Sequence, residues 1–203
     1  MRFQEAYKLL AGEKYFVFSF EDLCVFYPNE KRTSLRQYHS RWKKAGWIAS
    51  LRKGFYELTF PKNHTIPDLY IANKMYSPSY VSMETALSHY SIIPEVSMAV
   101  VSITSKPTRR FKNLHGLFIY HSVQPKAFRG YGIEQYNGFN VLIAEPEKAL
   151  VDYLYFKTLR KSDFDINTER FDKRRIADFN KKRLESYARI YNLNFKEILY
   201  VHL

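Results

Sequence analysis

The chain has 203 residues, of which 32 are Lys or Arg and 20 are Asp or Glu, so its formal net charge is +12. With 46% hydrophobic residues, only 7 Gly and 8 Pro, it is neither disordered nor collagen-like, and its length allows one large domain or two small ones. A single cysteine, Cys24, excludes a disulfide framework and any zinc site that needs two thiolates.

The beginning of the chain has no features of a targeting segment. The sequence MRFQEAYKLLAGEK carries charges where a signal peptide needs an apolar run, and no stretch of about 18 apolar residues occurs. We therefore expect a soluble, cytoplasmic protein without membrane contacts. The excess of positive charge favours polyanionic partners, because Lys and Arg that neutralise phosphates release counterions.

Two helices are predicted in the first 30 residues. Residues 2–11 place apolar side chains at helical spacing, and Gly12 is expected to end that helix. Ser19 is expected to cap a second helix, since Glu21 and Asp22 then lie in its first turn, near the positive end of the helix dipole.

A third helix and a hairpin follow. The helix is predicted from about Glu30 to Ala45, ends at Gly46, and has one inward apolar stripe. The members of that stripe are Leu35, Tyr38, Trp42 and Ala45. The sequence WIASLRKGFYELTF then predicts two strands around a turn at Gly54. Three helices followed by a hairpin are typical of a winged helix-turn-helix.

The hydrophobic pattern breaks at residues 61–67, PKNHTIP, where two prolines bracket polar residues. We interpret this segment as a linker between a DNA-binding domain of residues 1–60 and a second domain of residues 68–203.

The third helix and the hairpin are strongly basic. Residues 30–53 contain eight Lys or Arg and one acid, Glu30. With the apolar stripe inward, polar side chains suited to reading bases face outward. These candidate base readers are Thr33, Arg36, Gln37 and Ser40. The candidate phosphate contacts are Lys31, Arg32, Arg41, Lys43, Lys44, Arg52 and Lys53. The alternative is a basic helix face that only contacts solvent.

The second domain alternates helix and strand patterns. Ser82 is expected to cap a helix over METALSHY, and SMAVVSIT and GLFIYHSV are typical of strands. A hairpin is predicted around Asn137 and Gly138, followed by a helix with Pro146 in its first turn. Charged helices are predicted from about residue 167 onward, and the whole is an α+β fold with a helical tail.

Motifs spread over most of the chain resemble the AbiEi family of antitoxins, which belong to type IV toxin–antitoxin (abortive-infection) systems. They are the wing residues 51–56, LRKGFY, Tyr80–Ser82 with Ala86 and Leu87, Ile103–Thr104, Tyr120–His121, and residues 143–152, IAEPEKALVD. The last block is the most specific of these. The turn before the third helix, with Pro28 and Asn29, departs from the family pattern.

The resemblance implies an N-terminal winged helix that binds inverted repeats in its own promoter and represses the operon. It also implies a C-terminal domain that counters a nucleotidyltransferase toxin without forming a stable complex. From the residues themselves, only the DNA-binding half of this function is predicted.

Three groups of side chains have the composition of catalytic or metal sites. They are the acids Glu145, Glu147 and Asp152, the histidines His89, His115 and His121, and the pair Asp163 and Asp165. We predict structural roles, because no HExxH spacing occurs and Glu147 lies near a helix N-terminus, which favours an acid. The sequence thus predicts a non-enzymatic protein without metal or cofactor.

Other functions stay open from the sequence. A winged helix fused to a nuclease would explain the charge, although no acid is followed two residues later by the Lys of a restriction-like core. A winged-helix regulator unrelated to antitoxins and a scaffold that binds an acidic protein are further alternatives.

The tail contains a second group of basic residues on segments with helical spacing. Its members are Lys173, Arg174, Arg175, Lys181, Lys182 and Arg183. We hypothesise a second basic surface that extends the DNA contact or engages the nucleic acid on which the toxin acts; the alternative is a solvated face.

Overall fold

The computed structural model describes residues 2–61, 65–95, 97–160 and 169–193. Residues 62–64 of the predicted linker and the pair Asp163 and Asp165 lie outside these ranges. Helices and strands alternate along the chain, so the predicted α+β class is confirmed. No helix in the described ranges is long and apolar enough to cross a membrane.

The N-terminal domain has the topology of a winged helix-turn-helix. Its elements are α1 Phe3–Gly12, β1 Val17–Ser19, α2 Phe20–Phe26, α3 Arg32–Lys44, β2 Ile48–Arg52 and β3 Phe55–Leu58. The strands form one antiparallel sheet in the order β1-β3-β2. Helices α2 and α3 form the helix-turn-helix pair, and β2 and β3 form the wing.

Local sequence explains the ends of these elements. Ser19 caps α2 as predicted: its hydroxyl accepts a hydrogen bond from the Asp22 backbone N–H at 3.1 Å, and its own N–H donates to the Asp22 carboxylate at 2.6 Å. Gly54 turns the wing with a φ of +84°, a region that favours glycine. The cap fixes the start of α2, and the turn joins the two strands of the wing.

Some predicted details of this domain are wrong. Helix α1 includes Gly12, and α3 begins at Arg32, two residues later than predicted. Ala45 is exposed at the C-terminal end of α3 and takes no part in the inward stripe. Strand β1 was not predicted, because three residues give too short a pattern to distinguish from a loop.

The core of the N-terminal domain is entirely apolar. Its buried members are Phe3, Ala6, Leu10, Phe18, Leu23, Leu35, Trp42, Ile48 and Leu58. Trp42 packs edge-on against Phe3 with ring centroids 5.4 Å apart. Because Leu35 and Trp42 both point inward from α3, the opposite face of this helix is directed to solvent.

The second domain is a six-stranded mixed sheet with helices. Its elements are α4 Asp68–Met75, β4 Ser79–Val81, α5 Met83–His89, β5 Ala99–Thr104, β6 Arg109–Asn113, β7 Gly116–Ser122, β8 Tyr131–Tyr136, β9 Phe139–Ala144, α6 Pro146–Arg160, α7 Lys173–Ala177 and α8 Lys181–Ile190. The strand order is β6-β7-β5-β4-β9-β8, with parallel pairs β4/β9 and β5/β7. Strand β6, at one edge, and α4 were not predicted.

The tail helices contact the second domain through apolar side chains, and α8 packs on α6. Ile176, Leu184 and Tyr187 are buried, whereas Phe179 and Ile190 are partly buried against the same core. The Tyr187 ring lies 2.6 Å from the position that a Cβ atom on Gly130 would occupy. Only glycine therefore lets α8 approach the β8 end of the sheet so closely.

The two domains are in direct contact. Val17 and Leu51 of the winged helix belong to the larger hydrophobic core, and the rings of Phe16 and Phe139 lie 5.3 Å apart. The Asn113 side chain donates a hydrogen bond to the Leu51 carbonyl at 3.3 Å. The predicted linker thus joins two domains that share an interface rather than two independent units.

Candidate nucleic-acid interface

The outward face of α3 presents a row of exposed polar and basic side chains. All four candidate base readers, Thr33, Arg36, Gln37 and Ser40, are exposed, and so are Lys31, Arg32, Arg41, Lys43 and Lys44. Helix α3 contains no acidic residue. Its 13 residues span about 20 Å, the length of an element that fits along the major groove of B-DNA.

At its N-terminal end, α3 is tied to α2 through Arg32. The guanidinium donates two hydrogen bonds to Glu21, at 2.6 and 3.0 Å, and these hydrogen bonds lower the pKa of that carboxyl. Arg32 and Arg36 also lie over the Phe20 ring, 5.5 and 5.8 Å from its centroid. Because both members of the Arg32–Glu21 pair are exposed, the pair contributes little to stability.

The wing places its two predicted phosphate contacts differently. Lys53 is exposed at the tip, whereas Arg52 is turned into the domain interface. Its Nε donates to the Met75 carbonyl at 2.6 Å, and its guanidinium lies 4.0 Å from the centre of the Phe55 ring. Burial lowers the pKa of Arg52, which still stays charged. Arg52 therefore anchors the wing to the second domain, and Lys53 is the phosphate contact proposed for the wing.

Beside the wing, edge strand β6 and the loop before it add basic side chains that we did not predict. Lys106, Arg109, Arg110 and Lys112 are all exposed. Strand β6 lies beside the wing, because the Phe111 ring is 5.6 Å from the Arg52 guanidinium. The signal was present in the sequence: no Asp or Glu occurs between Glu95 and Glu134. The strand was missed because RRFKN has too few apolar residues to alternate.

The basic residues of the tail lie on α7 and α8 and are exposed. Several are paired with acids: Arg175 lies 3.8 Å from Asp172, and Arg183 lies 3.3 Å from Glu145. These acids partly neutralise the positive potential of the tail surface, whereas on α3 only Arg32 of the exposed basic residues in the described ranges has such an ion pair.

The acids that resemble a catalytic group have structural partners. Glu147 accepts a hydrogen bond from the Asn180 backbone N–H at 2.9 Å, and Glu145 accepts one from the Tyr187 hydroxyl at 2.7 Å. Both contacts hold α8 against α6. Glu145 and Glu147 therefore position the tail, as their predicted structural role requires.

Asp152 is the centre of a buried polar cluster, which we call the Asp152 cluster. Its other members are Tyr80, Ser82, Lys148 and Tyr191, and each of them donates to the carboxylate. Burial lowers the pKa of Lys148 and raises that of Tyr80. The prediction that Ser82 caps α5 with its side chain is wrong, because its hydroxyl donates to Asp152 at 2.8 Å. The cluster joins α6 to β4 and to the end of α8.

The three histidines are separate. His89 contacts Glu134, and His121 packs on the Phe156 ring. His115 lies in the domain interface between Glu57 of β3, at 2.7 Å, and Asp68 of α4, at 3.0 Å. No group of His, Cys, Asp or Glu in the described part of the chain is arranged to hold a metal ion.

The fold and this face define a protein with a winged-helix topology, an exposed and acid-free third helix, and a second α+β domain in contact with the wing. No protein-family model matches the sequence, and no curated protein matches it significantly.

Proposed function

We propose that the protein is a cytoplasmic, non-enzymatic antitoxin that binds operator DNA through α3 and the wing and represses its own operon. The observation that carries the DNA-binding part is the outward face of α3, which is basic, exposed and without acids along its whole length. A face that only needed solubility would carry both signs of charge.

Each part of this face has a role in the proposal. Arg36 and Gln37 form bidentate hydrogen bonds with guanine and adenine in the major groove, and Thr33 and Ser40 contact neighbouring base edges. The lysines and arginines around them, together with Lys53 of the wing, bind the phosphates that fix the register on the duplex. Arg110 and Lys112 of β6 extend this phosphate contact beyond the wing.

The antitoxin role rests on the resemblance to the AbiEi family. The resemblance implies that the operator contains inverted repeats. It also implies that the functional partner is a nucleotidyltransferase toxin, which the protein counters without forming a stable complex with it. The second domain, which includes the block at residues 143–152, carries this activity in the proposal.

Gel shifts on the duplex upstream of the protein's own gene, compared with a scrambled duplex, test DNA binding. We expect tighter binding to the upstream duplex and a logarithmic affinity that falls linearly with the logarithm of salt concentration. Arg36→Gln should weaken the specific complex, whereas the matched control Lys8→Gln, an exposed lysine of α1, should not. Equal affinity for both duplexes would contradict sequence-specific repression.

Co-expression with the neighbouring gene product tests the antitoxin role. If that product is a toxic nucleotidyltransferase, growth should be rescued by the full chain, also when Arg36→Gln prevents repression. Specific DNA binding without rescue would favour a winged-helix regulator of another kind.

A further inference from the structure

A groove of about 560 Å³ opens on the N-terminal domain between the start of α1, the C-terminal half of α3 and the end of the wing. Its lining residues are Arg2, Phe3, Gln4, Tyr38, Arg41, Trp42, Ala45, Trp47 and Phe60. A volume of this size is in the range that holds small ligands, about 300 to 1,000 Å³.

The groove walls are aromatic and open to solvent. Trp47 is 36% and Phe60 47% exposed, although both rings are large and apolar. The Phe3 ring lies 4.8 Å from the Trp47 ring and 6.4 Å from the Phe60 ring. Exposed aromatic side chains that cluster are candidates for a binding site, and of the groove lining the proposed DNA contacts include Arg41 but neither Trp47 nor Phe60.

Two arginines flank these rings. Arg2 and Arg41 line the groove, both are exposed, and neither forms an ion pair with any residue in the described ranges. No acid lines the groove. Its charge is therefore complementary to an anion, and its walls are complementary to a flat ring.

We propose that this groove binds a small planar aromatic molecule that carries an anionic group. The ring packs against the exposed faces of Trp47 and Phe60, and the anionic group pairs with Arg2 and Arg41. A second copy of the chain fits less well, because a concave groove with two arginines would place like charges opposite each other in a two-fold contact.

The only two tryptophans of the chain, Trp42 and Trp47, both line the groove, so tryptophan fluorescence reports on it directly. Anilinonaphthalene sulfonate has the proposed chemistry and serves as the probe. We expect saturable binding with one site per chain, tryptophan quenching and energy transfer to the probe.

Variants at the edge of the groove locate the site. Phe60→Ser and Arg2→Gln alter partly or fully exposed side chains, and we expect each to weaken probe binding about tenfold, the effect of one lost stacking or charge-assisted contact. Ile133→Ser, which alters an exposed apolar side chain of β8, is the matched control and should bind as the wild type does. Unchanged thermal melts show that the variants are folded.

Neutral phenylnaphthylamine tests the anionic part. Equal affinity for the neutral and the sulfonated ring would overturn the role of the arginines. Non-saturable binding, or binding that Phe60→Ser leaves intact, would overturn the site itself. Competition by adenosine monophosphate or by indole acetate then shows whether the groove prefers a nucleotide or an aromatic carboxylate as its ligand.

Discussion

The two domains keep their polar side chains in opposite places. In the described part of the winged helix, Glu57 is the only buried polar or charged residue, and it faces His115 of the second domain. The second domain buries Asn73, Ser79, Ser82, Ser102, Thr104, His121, Glu147, Lys148 and Asp152. The winged helix has an apolar core, and its other polar side chains lie on the surface or are partly buried. In the second domain, buried polar side chains form hydrogen bonds that join its helices and strands.

This difference implies that replacing a polar side chain affects binding in one domain and stability in the other. In the winged helix such substitutions should change binding and leave stability intact, because the side chains contact solvent. In the second domain they should change stability, because removing a group such as Asn73, Ser82 or Asp152 leaves a buried partner unsatisfied.

The largest effect is expected at Asp152. We expect Asp152→Ala to lower the free energy of unfolding by about 3 to 5 kcal/mol, because it leaves the buried Lys148 ammonium without its counter-charge. Urea denaturation followed by circular dichroism measures this change. The control is the double variant Lys148→Met with Asp152→Leu, which removes both charges and should cost much less. A loss below about 1 kcal/mol for Asp152→Ala alone would contradict the role of the cluster.

On the winged helix, the largest effect is expected on DNA binding and at Arg36 and Gln37. We expect Arg36→Ala and Gln37→Ala each to weaken specific DNA binding by about 1 to 3 kcal/mol, with a smaller effect on non-specific duplex. Their melting temperatures should stay near that of the wild type, since both side chains are exposed. Equal losses on specific and scrambled duplexes would assign both residues to phosphate contacts.

The pH dependence of stability tests whether His115 links the two domains. Hydrogen bonds to Asp68 and Glu57 raise the pKa of His115 to about 9. Its protonated form therefore stabilises the fold fully below the unfolded pKa of about 6.5, and this contribution is lost as pH rises through about 9. We expect a loss of about 1 to 2 kcal/mol, less than the full shift implies because the ring is partly exposed.

The matched variant is His115→Gln, whose side chain has no titrating group. Its free energy of unfolding should change less than that of the wild type between pH 6 and pH 10. Parallel pH profiles for the two proteins would show that this contact does not couple the domains.

The outward charges of α3 were predictable because they depend only on helical periodicity and on one apolar stripe, Leu35 and Trp42, that fixes the orientation. The same holds for the Ser19 cap, whose partner Asp22 is three residues away. Predictions of this kind need no knowledge of the rest of the fold.

Contacts between distant residues were not predictable. Ser82 has the residue type and position of a helix cap, but its hydroxyl donates a hydrogen bond to Asp152, 70 residues away. A buried carboxylate without hydrogen-bond donors would cost more free energy than a helix without a side-chain cap. Arg52 is likewise a wing residue by sequence, and only the packing of the wing on α4 and β6 turns it inward. A single sequence contains no signal for either pairing.

The smallest effect is expected at the peripheral basic residues, where β6 and the tail can be compared. Arg110 and Lys112 have no ion-pair partner in the described ranges and lie beside the wing, whereas Arg175 and Arg183 of the tail are paired with Asp172 and Glu145. We expect Arg110→Gln with Lys112→Gln to weaken binding similarly on all duplexes and to flatten the salt slope by about 0.9 per lost contact.

The charge-matched tail variant, Arg175→Gln with Arg183→Gln, should leave the slope unchanged, because the carboxylates of Asp172 and Glu145 lie beside these guanidinium groups and repel phosphates. Gel shifts over a series of salt concentrations measure both slopes. If the tail variant flattened the slope as much as the β6 variant does, the DNA would contact α7 and α8, and the hypothesis of a second basic DNA-binding surface would replace the extension along β6. If neither slope changed, the phosphate contacts would be confined to α3 and the wing. Only the winged helix, and no part of the second domain, would then contact DNA.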